Sequence, residues 1–261
     1  MTRIGAVFEG GRKVFVGYLT VGDGGLGRTL EAAAALVDGG VDLLELGVPH
    51  SDPVADGPVI QRATTRALAA GTRPADALRL AEQLRARCSV PLLLFSYYNN
   101  LRAAGARFLQ QAAGAGCDGV LAVDLPPEEA AEHRLAAAAA GLDTPFVVAP
   151  ATPAARLRLL GEVCSGFAYC VTRPGTTGVR AALPEGFPER MRRLREALPQ
   201  PLVAGFGIAD RESAARALAV ADGFVVGSAF VAALEGGATA AELSALARRI
   251  DPRDGGDGGA P

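Results

Sequence analysis

A single-domain (β/α)8 barrel is the fold this sequence predicts, and three observations predict it. Eight short apolar runs alternate with helical patterns along the chain; each run is apolar on both faces; and the polar and glycine-rich residues gather at the C-terminal ends of the runs. Parallel strands read this way because helices cover them outside and packed side chains fill the space inside. A length of 261 residues also suits a barrel, since such barrels run to roughly 250 residues as one unit. An open doubly wound sheet is the alternative, but no GxGxxG follows the first run, and VGDGGLG is a poor match.

The first run, VFVGYLT (14–20), leads to Tyr18, Thr20 and Asp23 at its end, and a helical pattern over 28–38 stops at Gly39. The second, VDLLELGV (41–48), carries Glu45 and opens a long loop to Asp56. A helix over 73–87, with Pro74 early, precedes VPLLLFSY (90–97), after which come Tyr97, Asn99 and Asn100. GVLAVDL (119–125) ends at Asp124, followed by a helix over 128–140 that begins at Pro127 and stops at Gly141. PFVVAP (145–150) and a helix over 153–163 lead to FAYCVT (167–172), with Tyr169 and the loop TRPGTTG (172–178). PLVAGFG (201–207), a helix over 210–220 and GFVVGS (223–228) complete the eight. No internal linker interrupts them, so the barrel spans 1–250. The remaining DPRDGGDGGAP (251–261) has no apolar periodicity and is expected to be a disordered tail.

Composition narrows the function classes. Hydrophobic residues at 49% and charged residues at 21% fit a globular protein with a sizeable core. A net charge of −2 gives no electrostatic reason to expect nucleic acid or an anionic membrane as partner. The N-terminal MTRIGAVFEGGRKV is unlike a signal peptide, and no run approaches a membrane span, so a cytoplasmic protein is expected. Cys88, Cys117, Cys164 and Cys170 form no CxxC pair; with two histidines they make no zinc set, and reduced, mostly buried thiols are expected.

The segment ELGVPHSDPVADGP, Glu45 to Pro58, is where chemistry is expected. A carboxylate inside an apolar run costs several kcal/mol unless it is partnered or shifts its pKa. Either Glu45 is a strand-end charge paired with an arginine, or it is there to move protons. A second signal is the cluster GFG (205–207), GS (227–228) and the glycines of 172–178 at the ends of the last three runs. In barrels, backbone N–H groups at this place often hold a phosphate, with Ser228 able to donate its hydroxyl; tight βα turns are the alternative reading. Arg173 is the nearby basic residue. Asp124 either opens the helix that follows it or belongs to the site, His50 either titrates in the site or, as expected, packs at the base of its loop, and His133 is expected on the solvated surface.

These residues resemble the tryptophan synthase α-subunit family over nearly the full chain. The resemblance rests on Glu45 followed by GVPHSDPVADGP, on IQRATTRALAAG (60–71), and on YLTVGD (18–23), VDLP (123–126), GTTG (175–178), GFGI (205–208) and VGSAFV (226–231). It implies a cofactor-free retro-aldol cleavage of indole-3-glycerol phosphate to indole and glyceraldehyde 3-phosphate. By the resemblance Glu45 is the proton shuttle, Asp56 the ionised carboxylate beside the indole N–H, and Tyr169 their support. Tyr18 and Phe95 would line the indole pocket and Phe206 the phosphate end. Gly178, Gly207, Gly227 and Ser228 would hold the phosphate, and Thr177 would order a mobile loop over the site.

The same resemblance implies a pyridoxal-phosphate β subunit as partner in an α2β2 assembly, met through Asp52, Pro53 and Asn99. It implies no metal and no cofactor in this chain. Pro174, Thr176, Tyr18 and a short N-terminal segment depart from the common pattern. A stand-alone lyase releasing free indole, or a non-catalytic regulatory partner of the β subunit, are the rival functions.

Overall fold

In the computed structural model the described residues are 2–105, 107–171, 184, 186–205 and 207–253. Eight strands form one sheet: β1 (Val14–Thr20), β2 (Leu43–Gly47), β3 (Leu92–Ser96), β4 (Gly119–Ala122), β5 (Phe146–Val148), β6 (Ala168–Val171), β7 (Leu202–Gly205) and β8 (Gly223–Val226). The order β4-β3-β2-β1-β8-β7-β6-β5 is all parallel. The ring closes between its two ends through Asp143, just ahead of β5. Asp143 donates its N–H to Asp118 (2.9 Å) and accepts from the N–H of Val120 (2.9 Å). Each predicted run holds its strand, most of them trimmed at the ends, where the chain turns into βα loops.

The helices are α1 (Arg3–Val7), α2 (Leu26–Asp38), α3 (Pro58–Ala69), α4 (Pro74–Arg85), α5 (Tyr98–Ala103), α6 (Phe108–Gly114), α7 (Ala131–Ala139), α8 (Ala154–Val163), α9 (Phe187–Ala197), α10 (Arg211–Leu218), α11 (Ser228–Glu235) and α12 (Ala240–Ile250). Local chemistry sets their starts. Pro58 and Pro74 supply a preset φ in the first turn, and Asp210–Ser213 and Thr239–Glu242 form reciprocal capping boxes. The helix expected over 128–140 divides into a 3-10 turn, Pro127–Glu129, and α7.

Side-chain alternation explains why the runs look apolar on both faces. Val14, Val16 and Tyr18 of β1 point into the barrel with Leu43, Leu93 and Val203, while Phe15 and Leu19 pack outward under the helices. Glu45 is two residues beyond Leu43, so it occupies an interior position, in register with Tyr18 on one side and Leu93 on the other. The bottom of the barrel is stoppered by α1, a helix of five residues and as short as the sequence suggests. Thr2 caps it by accepting from the Gly5 N–H, and Ile4, fully buried, reaches the interior layer beside Gly119. A Cβ on Gly119 would lie 2.8 Å from Ile4 Cδ1, so glycine is needed there.

Two expectations need correction. His133 is 6% exposed, not a surface residue: α7 turns it inward on the same side as Ala137, with its ring edge-on to Tyr98 (5.6 Å). Its charged neighbours Glu132 and Arg134 suggested solvent, but the 3.6-residue period puts it on the buried stripe. The expected tail from 251 is anchored through 253. Asp251 is 2% exposed, and Arg253 pairs with both Asp42 and Asp251 and donates to the carbonyl of Lys13. Charge rather than apolar periodicity holds these residues, which is why the pattern did not reveal them; 254–261 lie outside the described residues. Among the described residues no helix is long and apolar enough to cross a membrane.

If α1 stoppers the barrel, Ile4→Ala leaves a cavity at its base. The expected loss is roughly 2–5 kcal/mol, read as a lower urea midpoint with an unchanged m-value.

Candidate active site

Strand β2 carries Glu45 to the interior face near the C-terminal mouth, where it is 0% exposed. Neither carboxylate oxygen has a hydrogen-bond partner among the described residues, so the arginine-paired reading of Glu45 is excluded there. Burial alone pushes its pKa up to about 8. At neutral pH the group is therefore a neutral acid, able to give a proton and to take one back.

The second carboxyl comes from the loop after β2 and sits in a different environment. The Asp56 N–H donates to Pro53 O (3.0 Å), closing a turn, and Gln61 Nε2 from α3 donates to Asp56 O (2.9 Å). Its side chain, 7% exposed, accepts from the Tyr97 hydroxyl at Oδ2 (2.8 Å), and that hydroxyl in turn accepts from the Ala55 N–H (3.0 Å). Burial raises the Asp56 pKa to about 6, while the Tyr97 bond and the charge of His50 pull it down. Two carboxyls at one mouth thus differ at pH 7: Glu45 protonated, Asp56 ionised. This divergence is what acid–base and electrostatic roles require.

Three aromatic rings wall the space above Glu45. Tyr18 meets Phe95 edge-on (5.6 Å, 86°), and Phe95 lies 6.2 Å from Tyr169. Burial and the nearby carboxyls drive both phenols above their ordinary range, so both stay protonated. Glycine makes room for them. A Cβ on Gly47 would sit 2.1 Å from the Tyr18 hydroxyl, and one on Gly205 would sit 2.2 Å from Tyr169 Cε1. Across the mouth, α11 starts at Ser228 with Gly227 as N-cap and no side chain capping its first turn. Gly207, at φ +84°, turns the chain after β7. The mouth there presents the N-terminal, positive end of α11.

The structure brings Glu45, Asp56, Tyr18, Phe95 and Tyr169 to one end of the barrel, with Gly207, Gly227 and Ser228 after the neighbouring strands β7 and β8. Thr177, Gly178 and Phe206 lie outside the described residues, as do Arg173, Pro174 and Thr176. Asp52 and Asn99 are exposed at the rim, beside Val54, which is 65% exposed. Asp124 opens no helix of its own: its Oδ1 accepts from the Tyr98 N–H (2.6 Å) and caps α5. Asp23 is structural, accepting from Nε and Nη2 of Arg66 (2.7 and 2.8 Å). Sequence reasoning placed Tyr97 and Asn100 after the third strand but gave them no role. A hydrogen bond across 41 residues leaves no local pattern; a tyrosine at a strand's mouth end was the one available signal.

The elevated Glu45 pKa makes a stability prediction with a definite sign. Folding favours the protonated form, so that stabilisation is complete below the ordinary value near 4.5 and disappears as pH rises through about 8. Wild type should therefore lose stability relative to Glu45→Gln between these pH values. Thermal unfolding of the pair at pH 5 and pH 8 checks it; a constant difference would refute the assigned shift.

A family profile described as "Tryptophan synthase alpha chain" matches residues 6–251. The tryptophan synthase alpha chain of Coxiella burnetii (strain CbuK_Q154) is 51% identical over 238 residues, covering 91% of this chain and 93% of that one. The one from Chlamydia felis (strain Fe/C-56) is 48% identical over 257 residues, covering 97% and 100%. Among solved structures, a Mycobacterium tuberculosis tryptophan synthase in space group F222 aligns with TM-score 0.88 at 34% identity, covering 95% of this chain and 96% of that one. The tryptophan synthase subunit alpha of Legionella pneumophila str. Paris aligns with TM-score 0.86 at 33% identity, covering 97% and 99%. With its barrel, its paired carboxyls and this similarity along nearly its whole length, the chain belongs to the tryptophan synthase alpha chain family.

Proposed function

We propose that Glu45 and Asp56 divide the work of a retro-aldol cleavage of indole-3-glycerol phosphate to indole and glyceraldehyde 3-phosphate. Membership of the family makes the chain a carbon–carbon lyase of tryptophan biosynthesis, and the contrast between its two buried carboxyls is the observation that carries the mechanism. Neutral Glu45 gives its proton to indole C3, making a cationic indolenine. Ionised Asp56, set against the ring N–H, stabilises that charge as it develops. The Glu45 carboxylate then takes the proton of the hydroxyl on the carbon attached to C3. The bond from C3 to that carbon breaks, its electrons return to the ring, and the oxygen becomes the aldehyde carbonyl. Glu45 ends protonated, as it began.

Tyr18 and Phe95 hold the indole, Tyr169 supports the carboxyls, and Gly207, Gly227 and Ser228, with Gly178 and Phe206, hold the phosphate end. Thr177 orders the loop over the site. No metal or organic cofactor enters this scheme. The family implies a β subunit as partner; Asp52, Pro53 and Asn99 would meet it, in an α2β2 assembly whose β subunit carries pyridoxal phosphate and receives the indole. A cytoplasmic location goes with this role.

Glu45→Gln removes the proton shuttle and Asp56→Asn the charge. Each should lower kcat by on the order of 10²-fold or more, measured as indole release. The pH profile of kcat/KM should be a bell, with an acid limb near 6 from Asp56 and an alkaline limb near 8 from Glu45. Undiminished indole formation by Glu45→Gln would sink the mechanism. Adding a tryptophan synthase β subunit should raise indole release strongly; fast release indifferent to it would identify a stand-alone lyase instead.

A further inference from the structure

Asp56 is held by a chain of contacts that runs from Tyr97 through His50 to Asn100. The Tyr97 phenol that donates to Asp56 is 3% exposed, and one face of its ring is covered by His50, whose ring lies 4.5 Å away and only 18° from parallel. His50 is itself fixed by Asn100, the third residue of α5. Asn100 Nδ2 donates to the carbonyl of Pro49 (3.0 Å), which leaves Oδ1 to accept from His50 Nδ1 (3.0 Å). That pairing puts a proton on His50 Nδ1, directed at Asn100 Oδ1, and fixes the orientation of the ring. The groups facing Asp56 among the described residues are Tyr97 from the turn before α5, Tyr18 from β1, Tyr169 from β6 and His50 from its own loop. Tyr97 makes a hydrogen bond to the carboxylate, and His50 packs flat against its ring.

We propose that His50 is a positioning residue for the cleavage, acting through its stack on Tyr97 to fix the phenol that orients the Asp56 carboxylate. Its ring meets Tyr97 and Asn100. The inference rests on the reading of Asp56 as the ionised carboxylate. A misplaced carboxylate stabilises the developing charge less while binding of the phosphate and ring is little changed, so the loss falls on kcat rather than KM.

The test compares Tyr97→Phe, His50→Ala, His50→Phe and the double variant His50→Ala/Tyr97→Phe with wild type, using indole-3-glycerol phosphate across pH 5 to 9. Tyr97→Phe should lower kcat roughly tenfold with KM nearly constant. It should also move the acid limb upward, because the bond that favours the anion is gone. His50→Ala should do the same to a smaller degree, and His50→Phe, which keeps the stack, should recover most of kcat. Adding His50→Ala to Tyr97→Phe should lower kcat no further, since the positioning effect passes through the missing hydroxyl, and only the acid limb should rise further because the His50 charge acts on Asp56 directly. Wild-type kcat and acid limb in His50→Ala, failure of His50→Phe to recover kcat, or kcat losses that multiply in the double variant would each overturn the proposal. The two phenylalanine variants keep the aromatic packing, so they decide the matter even if His50→Ala does not fold. Asp56→Asn is run alongside: if it stays active, the assignment of Asp56 fails and the proposal with it. If it is inactive while the His50 and Tyr97 variants behave as wild type, only the positioning inference fails.

Discussion

A carboxyl with no hydrogen-bond partner among the described residues, enclosed inside a closed barrel, is the constraint on which the rest of this structure depends. Glu45 sits at an interior position of β2, fully buried. Its charged form is costly there, and the chain meets that cost by leaving it protonated rather than by supplying an arginine. That choice needs a dry and well-closed surrounding. Interior packing from Val14, Leu43, Leu93 and Val203, and the α1 stopper with Ile4 at its centre, provide it. The closure at Asp143 matters for the same reason, because a gap between β4 and β5 would admit water to the interior.

The contrast with Asp56 follows from where each carboxyl is mounted. A strand position offers no spare backbone donors, since the ladder to β1 and β3 uses them. A loop position can recruit a phenol, and Tyr97 binds Asp56 from the adjacent strand end. The difference in mounting puts the two pKa values on opposite sides of neutrality, so one fold supplies an acid and an anion at the same pH.

Glycine at the mouth is as necessary as the charged groups. Gly47 and Gly205 each vacate the volume that a tyrosine ring occupies, so Tyr18 and Tyr169 can lean across neighbouring strands toward the carboxyls. Outside this ring of aromatics, the salt bridges of Arg66 with Asp23 and Glu235 tie the β1 loop, α3 and α11 together. Through α3, which follows the loop carrying Asp56, they fix that loop's end against α11. Asp52, Val54 and Asn99 stay exposed at the rim.

Strand order and barrel closure were legible in the chain because eight runs apolar on both faces admit few other arrangements. The Glu45–Pro58 segment and the glycine clusters were legible because their chemistry is written in consecutive residues. His133 was misread because charged neighbours outweighed its place on the helical period, and Asp251 to Arg253 because ion pairs leave no periodicity. By itself, then, the sequence determined the barrel, the two carboxyls and the family. The tertiary structure alone decided that Glu45 has no counter-ion among the described residues, that Tyr97 holds Asp56, and that His50 and Asn100 hold Tyr97. Those contacts join residues distant in sequence, and their energetics come from burial and geometry that only the folded chain creates.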